Sequence, residues 1–157
     1  SELMKDFGLE FGIVRKPRPY DTTTLNYNWQ IWETKAFSVY ANATDEIDEK
    51  AADEAVNAIL RFMDKRGIVS AKTPPGYVTV IMNESDTRQV QSEAAGIFVS
   101  LTDIGKTVER GDILGRITDP FDGELVSEIR SPVSGTVYFE YHSPLINAKT
   151  VCFKIIK

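Results

Sequence analysis

Residues 95–117 read AGIFVSLTDIGKTVERGDILGRI, and this stretch decides the fold. It opens on Gly96, alternates apolar positions through Ile97 and Val99, dips into a polar turn over residues 105–112, and closes on Ile113, Leu114 and Ile117. Residues 131–155, SPVSGTVYFEYHSPLINAKTVCFKI, repeat the design with Gly135, a turn over 143–149 and a closing apolar run. Period-two alternation broken by turn residues marks half-buried strands. A copy this short cannot bury its apolar face alone, so the two copies have to pack on each other. The pattern predicts a small closed all-β barrel, or a flattened sandwich, built from two similar halves.

Between the copies, Pro120 and the pair Asp122-Gly123 mark a tight hairpin, and residues 125–129 alternate out of it as the next strand. The run Val108-Glu109-Arg110-Gly111-Asp112-Ile113-Leu114, followed by Ser131-Pro132-Val133-Ser134-Gly135-Thr136-Val137, resembles the biotinyl and lipoyl carrier domains. The resemblance implies a barrel of two halves with a cofactor-bearing lysine at the joining hairpin. Here that hairpin is Asp119-Pro120-Phe121-Asp122-Gly123-Glu124 and contains no lysine, so neither biotin nor lipoate is expected.

Upstream the pattern changes. Residues 72–76, KTPPG, form the domain boundary, because two prolines and a glycine follow directly on a helix exit. The division expected is 1–73 and 74–157. Residues 45–67 predict a helix, with Ile47, Ala51, Ala55, Val56, Ile59 and Met63 on one face. Asp45 or Asp48 supplies its N-cap, Lys65 and Arg66 sit at its basic end, and Gly67 stops it. That apolar face reads as core. Residues 9–14 and 36–40 read as strands, and 77–82 as another. Residues 28–32, with Trp29, Ile31 and Trp32, fit either a strand or a short helix. Asp21-Thr22-Thr23-Thr24 is a polar turn or the cap of a helical turn.

Composition narrows the function. The 157 residues carry a formal charge of −5 and no basic stripe, which argues against nucleic acid as a partner. No apolar run is long enough to cross a bilayer, and the N-terminus lacks the plan of a signal peptide. Ser1 is not a natural initiator, so the start reads as a fragment boundary or an artificially made end. The single cysteine, Cys152, excludes an internal disulfide and fits a reducing, cytoplasmic setting; within an apolar strand it reads as a small buried hydrophobe. One histidine, His142, and one cysteine cannot make a zinc site or a convincing triad, so no metal ligand is assigned in this chain. Asp119, Asp122 and Glu124 are acidic turn residues of the kind that face solvent. Glu33 is the candidate catalytic residue. A carboxylate among large apolar side chains is desolvated, and its raised pKa suits proton transfer. On the residues alone, a solvated glutamate at a strand end is the simpler reading.

Taken in order, Trp32-Glu33-Thr34, the helix ending in Gly67-Ile68-Val69, Ala94-Ala95-Gly96-Ile97-Phe98, residues 108–115, the Asp119-Pro120 hairpin and residues 130–137 resemble the C-terminal portion of the succinylglutamate desuccinylase/aspartoacylase family. These are zinc carboxypeptidase-like hydrolases. The resemblance implies an α+β chain: a residual strand–helix part of an α/β zinc-hydrolase domain, then an all-β barrel. It implies hydrolysis of an N-acyl amino acid or related amide, with Glu33 acting on water as general base. Zinc would belong to the complete protein, on ligands outside this chain, because no His-x-x-Glu occurs and no histidine precedes Glu33. Alone, the chain is expected to be inactive. It is expected to associate with a missing N-terminal part or to form a homo-oligomer through open strand edges at 9–14 and 36–40. The alternative is a non-enzymatic β-barrel binding or assembly module.

Overall fold

The computed structural model describes residues 2–40 and 47–157. They divide into two compact units, residues 1–81 and 82–157.

The first unit mixes helix and strand. Helix α1 (Glu2–Phe7) leads to strand β1 (Phe11–Val14), which ends where Pro17 and Pro19 withdraw backbone donors. A 3-10 turn over Pro19–Thr23 feeds helix α2 (Leu25–Ile31), so the segment left open between helix and strand is helical. Residues 36–40 form no strand: their alternation finds no partner edge, and alternation alone does not make a ladder. Helix α3 (Glu49–Lys65) starts at Asp48, whose Oδ1 accepts the Ala51 N–H at 2.9 Å. The other candidate cap, Asp45, lies outside the described residues. At the far end Gly67 adopts φ 68°, Ile68 N–H donates to Met63 O and Gly67 N–H to Asp64 O, each at 2.9 Å. This pair of hydrogen bonds satisfies carbonyls that the helix leaves free, and it needs a residue at ease in the left-handed region. Strand β2 (Val80–Asn83) closes the segment and pairs with β1, with Val80 N–H donating to Glu10 O.

A small aromatic contact joins α1 to α3. Phe7 stacks on Phe62 at 4.6 Å and meets Phe37 edge-on at 4.9 Å. Arg61 reaches from α3 to the carbonyls of Phe7, at 3.0 Å, and Pro74, at 3.1 Å, and Asp6 pairs with Arg66. Little else is enclosed. Ala58 is the one fully buried apolar residue of this unit among those described, while Val56 and Ile59 of α3 and Trp32 and Val78 elsewhere stand exposed. The face of α3 read as core is therefore largely open within this unit.

The second unit is two four-stranded antiparallel sheets. Its strands are β3 (Thr87–Gln91), β4 (Gly96–Ser100), β5 (Thr107–Val108), β6 (Ile113–Thr118), β7 (Leu125–Arg130), β8 (Gly135–Glu140), β9 (Leu145–Ile146) and β10 (Val151–Ile156). One sheet runs β3-β10-β8-β5 and the other β7-β6-β4-β9. The repeat is exact at this level: exchanging β3–β6 for β7–β10, in order, turns one sheet into the other. Each sheet thus takes two strands from each half. The sheets remain open, so the closed barrel expected from the sequence is not formed. The edge strands β5 and β9 are two residues long and offer too few backbone groups to carry a ladder round.

One apolar core lies between the sheets, with Val90, Val137, Phe153 and Ile155 from the first and Phe98, Leu114, Ile117 and Ile129 from the second. Phe98 and Phe153 meet edge-to-face at 5.6 Å. The matched glycines do matched work. A Cβ on Gly96 would lie 2.5 Å from Thr118 O, and one on Gly135 would lie 1.8 Å from Ile156 O, so each opening glycine lets its strand close against the end of its own half. Cys152 is fully buried, and burial pushes its thiol pKa up, as expected of a packing residue.

Candidate functional site

Glu33 follows α2 directly. The helix is anchored at its start by Asn28, whose side-chain amide donates to Thr22 O at 3.0 Å and Thr24 O at 2.8 Å. At its end the Trp32 N–H donates to Trp29 O, the Glu33 N–H to Gln30 O at 3.0 Å, and the Thr34 N–H to Trp29 O at 2.9 Å. Glu33 takes φ 65°, left-handed backbone that costs a non-glycine residue roughly 1–3 kcal/mol. The Gln30 side chain then donates to Ala36 O at 2.5 Å, and Asn26 to Ser38 Oγ at 3.1 Å, tying the following segment back to the helix. Glu33 is thus displayed on a tight, doubly fastened turn rather than on a strand. Its surroundings are open: Glu33 is exposed, as are Trp29 and Trp32. The desolvation expected from its apolar neighbours in sequence is absent within this unit, because those neighbours point into solvent.

The buried charged residue of the first unit, among those described, is Asp21, which the sequence reading placed in a polar turn or at the cap of a helical turn. Arg15 grips it with two guanidinium nitrogens, at 2.5 and 2.8 Å, and the Arg18 N–H donates to it at 2.6 Å. The Arg15 hydrogen bonds, with help from the Arg18 backbone and against the opposing effect of burial, hold its carboxyl at a pKa of about 2. The cluster fixes the 3-10 turn that launches α2. Two arginines ahead of an aspartate in a proline-flanked loop were the available signal.

In the second unit the hairpin carboxylates serve the turn. Asp119 Oδ1 accepts the Phe121 N–H at 2.7 Å, and Asp122 Oδ1 the Glu124 N–H at 2.9 Å. His142 lies exposed beyond β8. Among the described residues no group of three or more histidine, cysteine, aspartate or glutamate side chains is placed to hold a metal ion. No described helix is long and apolar enough to cross a membrane.

No family model and no curated protein matches the sequence. Solved structures do match the fold. The product-bound ectoine utilization protein EutE (DoeB) from Ruegeria pomeroyi aligns with a TM-score of 0.78 at 18% identity, over 99% of this chain and 47% of that one. A succinylglutamate desuccinylase from Silicibacter sp. TM1040 gives 0.77 at 18%, over 99% and 48%. This chain has the fold of one portion of a succinylglutamate desuccinylase/aspartoacylase-family protein. A third such structure, from Rhodobacter sphaeroides, gives a TM-score of 0.76 at 15% identity, over 99% and 47%. The likeness is one of fold, and the chain spans a little under half the length of these three structures.

Proposed function

We propose that this chain is the C-terminal part of a zinc-dependent deacylase of the succinylglutamate desuccinylase/aspartoacylase kind, cleaving the amide of an N-acyl amino acid. The observation that carries this reading is the match of the whole chain to under half of each such structure. The open apolar face of the first unit supports it, since α3 and its neighbours need a further layer to cover them. The described residues do not fit a zinc site, so the metal of this reading belongs on ligands outside them, and no step is assigned to it here. The reading gives this chain one chemical role: Glu33 accepts a proton from the attacking water. The strained turn that presents it is the kind of backbone that persists where a side chain must be aimed.

The test is Glu33→Gln in the complete protein. Hydrolysis of N-acyl amino acids is expected to fall by at least about a hundredfold, the scale of general-base catalysis, with metal content and melting temperature unchanged. Undiminished turnover removes Glu33 from the chemistry. The exposure of Glu33 favours a second reading, a non-enzymatic binding or assembly module; a metal-loaded complete protein that cleaves no member of an N-acyl amino acid panel would establish it.

A further inference from the structure

A cleft of about 420 Å³ opens on the second unit. Leu101 and Ile113 form its apolar side, 49% and 39% exposed, while Val108, which also lines it, belongs to the buried core. Lys106, Asp112 and Arg130 supply its charges. Arg130 is already tied, to Gly111 O at 2.9 Å and to the Glu128 carboxylate at 2.5 Å, and Asp112 accepts the Glu109 N–H at 2.8 Å. Lys106 makes no ion pair among the described residues. Two exposed aliphatic side chains beside a spare ammonium suit an apolar group flanked by carboxylates.

The 119–124 hairpin has that character. Phe121 at its tip is 97% exposed, and Asp119, Asp122 and Glu124 surround it. The tip is held in shape by its own bonds: Asp119 N–H to Glu124 O at 2.9 Å, Gly123 N–H to Asp119 O at 3.0 Å, and the two carboxylate contacts already described. A preformed tip loses little conformational freedom on docking. Within one copy it cannot reach the cleft. Thr118 and Leu125 pair at the hairpin end of the β6–β7 ladder, while Ile113 and Arg130 pair at the cleft end. At roughly 3.4 Å per residue the length of β7 separates them by about 20 Å. Two copies lying antiparallel about a two-fold axis would set each tip against the other's cleft, and such an isologous contact closes on itself.

We propose that two copies of this chain pair about a two-fold axis, with Phe121 of each seated against Leu101 and Ile113 in the cleft of the other and the carboxylates of its hairpin facing Lys106. This pairing is independent of the deacylase reading. Sedimentation equilibrium of the whole chain should show a concentration-dependent dimer that weakens as salt rises. Phe121→Ala and Lys106→Glu should each weaken it by about tenfold or more, the former by removing an aromatic anchor. Both side chains lie on the surface, so circular dichroism is expected to stay unchanged. Combining Lys106→Glu with Glu124→Lys, whose carboxylate makes none of the bonds that shape the tip, restores opposite charges across the contact and should recover the dimer. A chain that stays monomeric at every concentration overturns the proposal. So does a dimer that both single variants leave intact, which would move the association to the open apolar face of the first unit.

Discussion

Asp21 keeps its charge while only 6% exposed because three donors converge on it. The fold favours the ionised form, so what the cluster contributes to stability is complete above the ordinary pKa of 3.8 and is lost as pH falls through about 2. Since α2 follows this turn, the fluorescence of Trp29 and Trp32 should report the loss between those values. Asp21→Asn should remove that acid transition and loosen the turn already at neutral pH; identical acid profiles for parent and variant would count against the cluster. Glu33 teaches the complementary lesson at the same scale. Its neighbours in sequence are large and apolar, yet they do not enclose it. Apolar content next to a carboxylate shows what is available for burial, and only a second layer of structure decides whether burial happens.

Among the elements, the paired glycines are the most sensitive points. Gly135→Ala would force a methyl group into the Ile156 carbonyl, where backbone rather than a flexible side chain has to yield. A loss of about 3 kcal/mol is expected in chemical denaturation, and a change under about 0.5 kcal/mol would mean that β8 and β10 shift freely. The repeat was legible because its two copies keep the glycine, the turn and the closing apolar run. Strands β3 and β7 were not seen as part of it, because TRQVQ and LVSEIR share no pattern beyond extended propensity. Helix α3 was legible from its period, its cap and Gly67. Residues 36–40 were misread for a physical reason: a strand exists only where another edge accepts its hydrogen bonds, and that edge is not encoded in the strand itself. The closed barrel failed likewise on length: β5 and β9 lie inside the segments read as turns, 105–112 and 143–149, and two residues are too short to show alternation.

For the whole molecule, burial is unequal. Of the fully enclosed apolar side chains, Ala58 alone lies in the first unit among the described residues, and the others serve the sandwich. Local stability follows such enclosure. Hydrogen exchange should therefore show amides of α3 opening well before those of β10, and equal protection would contradict this. Because each sheet draws two strands from each copy, the arrangement is that of a strand-exchanged dimer whose subunits have been joined end to end by the 119–124 hairpin. Neither copy can complete a sheet from its own strands. The first to be synthesised has to wait for the second, and the decisive pairings, such as β3 with β10, join opposite ends of the unit. Folding of this kind is late, cooperative and slow to begin, since distant segments must meet before any of them is rewarded.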